Sequence, residues 1–207
     1  MAEVLERFVA LEGLDGAGTT TQLRLVSEAL AARGVSCHAT SEPTEGPYGR
    51  EARRALRREI DIHPLTLAFL FAADRNEHLR DPRDGILKHL AAGTTVITDR
   101  YLFSSLAYQS VQSGFDHVFA INSAFPVPRD VVFLDTPLEI CQGRLRERGR
   151  LEIFDEERVQ RDVLARYRRA LDAYAGSGMR VHRVDGSRSA EAICADIFGI
   201  LTSPGRY

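Results

Sequence analysis

The sequence predicts an α/β fold in which a five-stranded parallel sheet is flanked by helices. Two observations support this prediction. Short apolar runs alternate with longer segments of helical periodicity along the chain, and such alternation is typical of parallel sheets, whose neighbouring strands need crossover connections. No internal repeat, low-complexity tract or linker interrupts the pattern. We therefore expect residues 1–207 to form a single domain.

Five segments have the character of strands. Residues 8–11 are continuously apolar, as expected for a strand that is covered on both faces of the sheet. Gly93 precedes another such run. The remaining strands are predicted at 35–39, 94–98, 131–134 and 181–184.

Eight segments have helical periodicity. In residues 20–33 the side chains of Leu23, Val26 and Leu30 share one face, and Gly34 ends the segment. Pro64 suits a first helical position, where its missing N–H costs no hydrogen bond. Residues 40–49 contain two prolines and two glycines and are predicted to form a loop. The other helices are predicted at 50–58, 64–79, 85–92, 103–113, 138–147, 156–174 and 190–201.

The composition is ordinary for a globular protein, with 44% hydrophobic and 27% charged residues. The formal net charge of −2 gives no reason to expect a nucleic acid or an anionic membrane as a partner. The three cysteines are scattered without metal-ligand spacing. Neither a signal peptide nor an apolar stretch of about 18 residues is evident. We therefore expect a cytoplasmic protein.

A glycine-rich segment between the first strand and the first helix matches the P-loop pattern GxxxxGK[ST] at every position except one. Its glycines let several N–H groups point at a phosphate, and the following helix adds the partial positive charge of its N-terminus. A bare glycine-rich turn is the alternative, but the strand and helix on either side favour a nucleotide site. The predicted ATP-binding residues here are Gly13, Leu14, Asp15, Gly16, Ala17, Gly18, Thr19, Thr20 and Thr21, with the Thr20 hydroxyl as a ligand of Mg²⁺.

The exception in the motif is Thr19, which stands where the pattern has lysine. That lysine normally neutralises charge on the β- and γ-phosphates. Losing one such contact typically costs about 3–4 kcal/mol of barrier, or about 10²–10³ in rate. Because Lys88 is the only lysine among 27 basic residues, any mobile cation in this site must be an arginine.

A second polar pair follows the predicted strand 94–98. Asp99 and Arg100 stand at its carboxyl end, which is where open α/β sheets bind ligands. A carboxylate suits Mg²⁺ and a guanidinium suits a phosphate group. We therefore predict Asp99 as a metal ligand and Arg100 as a phosphate contact, although a surface ion pair is a common alternative.

Four segments, at 12–22, 42–47, 71–75 and 99–109, together resemble the bacterial thymidylate kinases in order and spacing. The resemblance covers nearly the whole chain. It implies a three-layer P-loop kinase fold with an arginine-rich lid. It also implies transfer of the γ-phosphate of ATP to dTMP, giving dTDP, with Mg²⁺.

The resemblance also assigns roles to residues of the acceptor site. Phe71, otherwise a candidate core aromatic, is expected to stack on thymine, and Arg75 lies one helical turn later on the same face. Tyr108 is expected to pack against the sugar and Asp15 to bind the 3′-hydroxyl. The full expected set for dTMP is Asp15, Phe71, Arg75, Arg100, Ser104, Ser105, Tyr108 and Gln109.

Two departures from the family pattern concern charge. Many relatives have arginine just before the Glu-Pro pair, where this chain has Ser41. Arg50 and Arg53 follow on the next predicted helix and are secondary candidates for the monophosphate. The phosphate loop itself offers Ala17 where some relatives carry a catalytic arginine.

The resemblance places a lid at about residues 147–156, in an arginine-rich segment. Arg148 and Arg150 are expected to be catalytic, and one of them is our hypothetical replacement for the missing lysine charge. Arg144 is expected to contact adenine. The predicted catalytic set is thus Asp15, Arg100, Arg148 and Arg150.

Two alternatives to an active dTMP kinase remain open from the sequence. Loss of the lysine fits a nucleotide-binding protein with impaired catalysis. A kinase for another deoxynucleoside monophosphate is also compatible, because a thymine methyl is worth only about 1–3 kcal/mol of discrimination. Family members usually form homodimers through helices, and the predicted helices within 50–79 have enough apolar positions to do so.

Overall fold

The computed structural model describes residues 2–148, 153–154 and 157–203, with only the main chain described at residue 148. Its five strands form one parallel sheet in the order β2-β3-β1-β4-β5. This architecture confirms the predicted α/β fold with a five-stranded parallel sheet. The strands are β1 (Val4–Gly13), β2 (Cys37–Ser41), β3 (Thr95–Asp99), β4 (Val127–Asp135) and β5 (Arg180–Asp185).

Helices in the described residues connect these strands and flank the sheet. Helix α1 follows β1 directly through the glycine-rich loop, and α3 is 17 residues long. The helices are α1 (Thr19–Ala32), α2 (Pro47–Leu56), α3 (Pro64–Arg80), α4 (Ile86–Ala91), α5 (Leu102–Tyr108), α6 (Ser110–Ser113), α7 (Phe115–Asn122), α8 (Leu138–Arg148), α9 (Glu157–Ala173) and α10 (Ala190–Thr202).

The core lies along the three central strands. The second half of β1 and all of β3 are buried, as expected for parallel strands that are covered by helices on both faces. In the register, Leu11 of β1 lies opposite Asp99 of β3, and Ser41 of β2 lies opposite the same aspartate. The carboxyl ends of three neighbouring strands therefore meet at one edge of the sheet.

The structure differs from the predicted elements at three helices and at one strand. Helix α7 was not predicted, α2 begins at Pro47 inside the predicted loop, and the predicted helix 103–113 is divided at Gln109 into α5 and α6. Strand β4 begins four residues earlier than predicted, at Val127 rather than residue 131. This part of β4 was not predicted because it contains Pro128 and Asp130, and proline and aspartate are depleted in strands.

Among the described residues, no helix is both long and apolar enough to cross a membrane.

Candidate active site

A cavity of about 560 Å³ opens at the carboxyl ends of β1, β2 and β3. Its size is within the usual range for a small-molecule site. It brings together most of the residues that the sequence predicted, from both the phosphate loop and the acceptor set. Predicted residues that line it are Asp15, Gly16, Gly18, Thr19, Thr20, Thr21, Phe71, Arg75, Asp99, Arg100, Ser104, Ser105, Tyr108, Gln109 and Arg144.

The phosphate loop has the backbone shape that its glycines predict. Gly16 has φ +83°, and a Cβ there would lie 2.6 Å from the carbonyl oxygen of Cys141. Gly18 has φ +104° and precedes α1 without a side-chain cap, so the first N–H groups of α1 keep no capping partner. These donors and the helix dipole make the N-terminus of α1 a site for a phosphate group.

The remaining predicted loop residues, Gly13, Leu14 and Ala17, do not line the cavity. Leu14 and Ala17 are buried in the core, and the Ala17 N–H donates to the Leu14 carbonyl over 2.9 Å. They shape the loop rather than face a ligand. Thr19, at the lysine position, is buried at the first turn of α1 and brings no charge to the cavity.

Thr20 and Asp99 form the candidate metal site. The Thr20 hydroxyl donates to Asp99 Oδ2 over 2.5 Å. Asp99 is only 7% exposed, and its Oδ1 has no hydrogen-bond partner among the described residues. A buried carboxylate oxygen without a partner beside a hydroxyl is a donor set that fits Mg²⁺, which prefers oxygen ligands. These two residues therefore fit the metal that the sequence predicted.

Arg100 is held in the centre of the cavity wall by several contacts. Its Nη2 donates to Asp15 Oδ1 over 2.6 Å. Its Nη1 lies 3.1 Å from the Gly13 carbonyl, the Ser104 hydroxyl and the Tyr167 hydroxyl. Its backbone has φ +69°, an uncommon conformation for a residue other than glycine. The guanidinium is thus fixed beside the phosphate loop.

Tyr108 connects the acceptor side of the cavity to the phosphate loop. Its hydroxyl accepts the backbone N–H of Asp15 over 2.8 Å, and its ring lies 5.2 Å from the Arg100 guanidinium carbon. Burial raises the pKa of Tyr108 well above its usual range, so the hydroxyl stays neutral. The ring is therefore a fixed wall between the phosphate loop and the rest of the cavity.

Phe71 and Arg75 lie on α3, as the sequence predicted, but in different environments. Both line the cavity, Phe71 as a ring that is 8% exposed and Arg75 as a side chain that is fully buried in the cavity wall. Its Nη2 donates to Glu42 Oε2 over 2.7 Å and to the Ser105 hydroxyl over 2.9 Å, and its Nη1 donates to Asn122. A buried arginine needs such partners. Sequence reasoning did not assign Glu42 and Asn122 as the residues that orient Arg75.

Arg50 and Arg53 were secondary candidates for contacting the monophosphate. Of these two, Arg53 lines the cavity and Arg50 does not. Arg53 donates to the carbonyls of Thr44 and Pro43 over 2.6 and 2.5 Å. Arg50 donates to the Glu45 carbonyl. Both guanidinium groups therefore brace the loop between β2 and α2, and Arg53 does so at the cavity wall.

Arg144 contacts the phosphate loop from α8. Its Nη1 donates to the carbonyls of Gly16 and Ala17, each over 3.1 Å, and its Nη2 reaches the Gly186 carbonyl at 3.5 Å. Arg144 also lines the cavity, so its guanidinium lies at the cavity wall beside the loop. It joins the loop to the segment that follows β5.

Comparison with known proteins identifies the family. The thymidylate kinase family model matches residues 11–197. The chain belongs to the thymidylate kinase family.

Three relatives illustrate the similarity. The chain is 39% identical over 183 residues to the "Putative thymidylate kinase" of Aeropyrum pernix, covering 88% of this chain and 86% of the relative. It is 41% identical over 172 residues to the "Probable thymidylate kinase" of Thermococcus kodakarensis, covering 77% and 82%. It is 35% identical over 201 residues to the "Probable thymidylate kinase" of Pyrococcus horikoshii, covering 94% and 95%.

The lid that family resemblance predicts at about 147–156 falls mostly outside the described residues. Arg150 and the side chain of Arg148 are outside them, so both catalytic assignments stay predictions. Within the segment, Phe154 lines the cavity and packs edge-on against Tyr108 at 5.5 Å. Gln160 donates to the Phe154 carbonyl over 2.8 Å and to Asp15 Oδ2 over 3.3 Å. Neither Phe154 nor Gln160 was predicted.

Glu12 was also not assigned a role, although it directly precedes the phosphate loop. It is fully buried, and burial raises its pKa to about 7. Its Oε1 accepts the backbone N–H of Tyr101, and its Oε2 is within hydrogen-bonding distance of the Ser104 and Tyr167 hydroxyls. The available signal was a carboxylate at the end of an otherwise apolar strand, which is costly to bury without partners.

Another group of possible metal ligands, His38, Asp84 and His89, lies away from the cavity, with its ligand atoms within 4.8 Å of one another. The two rings stack face to face at 3.7 Å, and His89 Nε2 lies 2.8 Å from Asp84 Oδ1. Histidine binds a metal through lone pairs in the ring plane, and parallel stacked rings do not direct these lone pairs to one point. The arrangement is that of a stacked histidine pair in which His89 is hydrogen-bonded to Asp84.

Proposed function

We propose that this chain transfers the γ-phosphate of ATP to dTMP, giving ADP and dTDP. The family membership supports this activity. The structural observation that carries it is the meeting, in one cavity, of the Thr20–Asp99 pair on the donor side with the Asp15–Arg100 pair on the acceptor side. Phosphoryl transfer needs mainly this positioning and charge neutralisation.

On the donor side, the N–H groups around Gly16, Gly18 and Thr20 hold the ATP phosphates. Arg144 lies against this loop, next to Gly186, where it contacts the adenine. Thr20 and Asp99 would hold Mg²⁺, which would supply positive charge that neutralises the donor phosphates.

On the acceptor side, the cavity wall fits a deoxynucleoside monophosphate. Phe71 stacks on the thymine, and Arg75 reaches the base edge together with Ser105. Gln109 adds an amide whose Oε1 is buried without a partner among the described residues, so it is available to the base. Tyr108 packs against the sugar at the position of the 2′-carbon. Ser104 acts through Arg100, to which it is hydrogen-bonded.

The reaction step follows from this placement. An oxygen of the dTMP phosphate attacks the γ-phosphorus in line, and the bond from the γ-phosphorus to the oxygen of ADP breaks. Arg100 holds the acceptor phosphate while Asp15 binds the 3′-hydroxyl and keeps Arg100 in place. No general base is required, because the attacking oxygen is already anionic.

Thr19 leaves the β- and γ-phosphates without the usual lysine. We propose that Arg148 or Arg150, on a lid at about 147–156 of a single domain, replaces part of this charge when the lid closes. Lid closure also excludes water from the transferring phosphate. The buried, uncharged Thr19 favours one alternative: a nucleotide-binding protein whose catalysis is impaired.

An assay of ADP release with ATP, Mg²⁺ and a panel of acceptors tests the proposed activity. We expect dTMP to give the highest kcat/KM and dUMP to be about 10–200-fold poorer, because it lacks one methyl group. ADP release that does not depend on an acceptor, or a preference for dGMP, would overturn the assignment to dTMP.

We further propose that the protein is a cytoplasmic homodimer. Phe69, on the outward face of α3, is 55% exposed, and a large exposed apolar side chain on the predicted interface helix supports a contact with a second copy. Three free cysteines among the described residues are consistent with a reducing compartment. Sedimentation equilibrium at micromolar concentration checks the dimer, and a monomer mass would contradict it.

A further inference from the structure

The side chain of Glu12 is joined to the cavity through two hydroxyl groups. Its Oε2 lies 2.6 Å from the Ser104 hydroxyl and 3.0 Å from the Tyr167 hydroxyl. These two hydroxyls lie 2.8 Å apart, and both accept from Nη1 of Arg100. Glu12 therefore acts on Arg100 through Ser104 and Tyr167 rather than by touching the cavity itself.

The number of protons in this network decides how it is connected. Ser104 and Tyr167 each have one hydroxyl proton to donate. If Glu12 is ionised, both protons are drawn to Oε2, and neither hydroxyl donates to the other or to the backbone. If Glu12 is protonated, one directional chain satisfies every group: Glu12 donates to Ser104, Ser104 donates to Tyr167, and Tyr167 donates to the carbonyl of Gly13 at 3.0 Å.

The other oxygen of Glu12 is compatible with both states. Oε1 accepts the backbone N–H of Tyr101 over 2.9 Å and that of Ser104 at 3.4 Å. A protonated carboxyl group keeps this acceptor while its second oxygen donates. The chain of hydrogen bonds ends on Gly13, the first residue of the phosphate loop.

We propose that Glu12 is a positioning residue for phosphoryl transfer, and that its protonated form orders the chain Glu12–Ser104–Tyr167–Gly13 that holds Arg100 and the start of the phosphate loop. This inference rests on the proposed function, because Arg100 is the group that holds the acceptor phosphate there. It assigns to Glu12 a role that family membership does not supply.

The charged and titratable groups around Glu12 come from three elements. Arg100 and Tyr101 follow β3, Tyr167 lies on α9, and Asp15 in the phosphate loop neutralises Arg100. Burial is the largest effect and favours the protonated carboxyl, whereas Arg100 opposes it. A bound phosphate dianion offsets the charge of Arg100 and so raises the pKa of Glu12 further.

A proton is therefore expected to bind together with dTMP near neutral pH. Protonation of Glu12 favours the chain of hydrogen bonds that holds Arg100 in place for dTMP. The affinity for dTMP therefore falls as the pH rises through about 7. We expect a decrease of about tenfold between about pH 6 and pH 8.5, which corresponds to one hydrogen bond of the network. The same decrease is expected in kcat/KM for dTMP.

The test compares the native chain with Glu12→Gln, whose amide N–H donates to Ser104 as the protonated carboxyl does. Calorimetric titration with dTMP in buffers of different ionisation enthalpy measures proton uptake. We expect about half a proton fewer to be taken up by Glu12→Gln near pH 7.5, the uptake that accompanies a tenfold change in affinity, and the tenfold decrease in affinity to be lost. Ionisation of the dTMP phosphate is common to both proteins and cancels in the comparison.

Tyr167→Phe breaks the chain one step later and is expected to weaken the pH dependence as well. Tyr174→Phe is the matched control, because the Tyr174 hydroxyl is buried without a partner among the described residues. It is expected to keep the native pH profile. Equal pH profiles and equal proton uptake in the native chain and Glu12→Gln would overturn the proposal.

The outcomes separate this proposal from the proposed function. Binding of dTMP without turnover overturns the kinase assignment, and the calorimetric comparison still decides the role of Glu12. If dTMP does not bind, carboxyl ¹³C NMR decides, with the Glu12 signal identified by its loss in Glu12→Gln. A titration midpoint of the Glu12 carboxyl near pH 7 supports the proposed chain of hydrogen bonds, and a midpoint near the ordinary value of 4.5 contradicts it.

Discussion

At the scale of single residues, the site depends on buried charges that are held by other buried groups. Arg75 and Glu42 are both buried and joined at 2.7 Å, and Glu42 also contacts His78 Nδ1 at 3.0 Å. Taking such charges out of water is expensive, and their attraction repays it only with good geometry. The pair therefore fixes the base pocket more than it stabilises the protein.

Breaking this pair on one side should be costly. Arg75→Met leaves the Glu42 carboxylate buried beside His78 alone, and we expect a loss of about 3–5 kcal/mol in the free energy of unfolding. Replacing both residues, Arg75→Met with Glu42→Leu, is expected to cost less than Arg75→Met alone. Urea denaturation of the single and double variants measures the difference.

The exposed pair Arg24–Glu28 on α1 is a suitable control, since about 60% of each side chain is accessible (61% and 59%). Arg24→Met is expected to change the free energy of unfolding by less than about 1 kcal/mol. A loss at Arg75→Met no larger than this would show that the Arg75–Glu42 pair does not behave as a buried pair.

Residue roles could be predicted from the sequence only where the motif itself carries the role. Thr20 was predicted from its place in the phosphate-loop motif, and Asp99 and Arg100 from their places at the end of β3, whereas the role of Asp15 came from the family resemblance. The orientation of Arg75 could not be predicted, because its partners Glu42 and Asn122 are 33 and 47 residues away. Only the folded chain brings these groups together.

At the scale of elements, α2 and the loop before it brace the cavity. Asp74 of α3 accepts the N–H and the hydroxyl of Thr44 over 2.7 and 2.5 Å. Gly49, in the first turn of α2, packs so closely that a Cβ would lie 2.1 Å from the Thr44 carbonyl oxygen and 2.8 Å from Asp74 Oδ1. This contact holds the loop that carries Glu42 and Arg53 at the cavity wall.

We therefore expect Gly49→Ala to destabilise the protein by about 1–3 kcal/mol, because the added methyl forces the loop and helix apart. It should also raise the KM for dTMP, since Glu42 and Arg53 move with the loop. Gly199→Ala in α10 is the control: nothing lies within 4 Å of its Cβ, so the change is expected to be neutral or stabilising by up to about 1 kcal/mol. Thermal unfolding and dTMP kinetics check both; a Gly49→Ala protein as stable as Gly199→Ala would contradict the close packing.

Element boundaries were predictable where periodicity was clean and not where polar residues enter the core. Helix α7 buries Phe115, Val118 and Asn122 at the spacing of a helix face. Asn122 is a polar residue on this face, and its burial depends on the hydrogen bond that it accepts from Arg75 and the one that it donates to the Val118 carbonyl. The first turn of α2 was also not predicted, because residues 40–49 have the composition of a loop.

At the scale of the whole molecule, the parallel sheet explains why distant motifs meet. The fold class could be predicted because strand and helix patterns alternate along the chain. The register that places Leu11, Ser41 and Asp99 at one edge could not be predicted, because strand order is set by tertiary packing. Together the sheet and the phosphate loop form a kinase site that lacks one charge, at Thr19.

The most direct test of this account is dTMP-dependent release of ADP from ATP by the native chain and by Thr19→Lys under the same conditions. We expect measurable turnover by the native chain. Turnover by Thr19→Lys should be faster, by up to about 10²–10³ if nothing else replaces the lysine charge. Absence of dTMP-dependent turnover from both proteins would contradict the assignment of this cavity as a thymidylate kinase site.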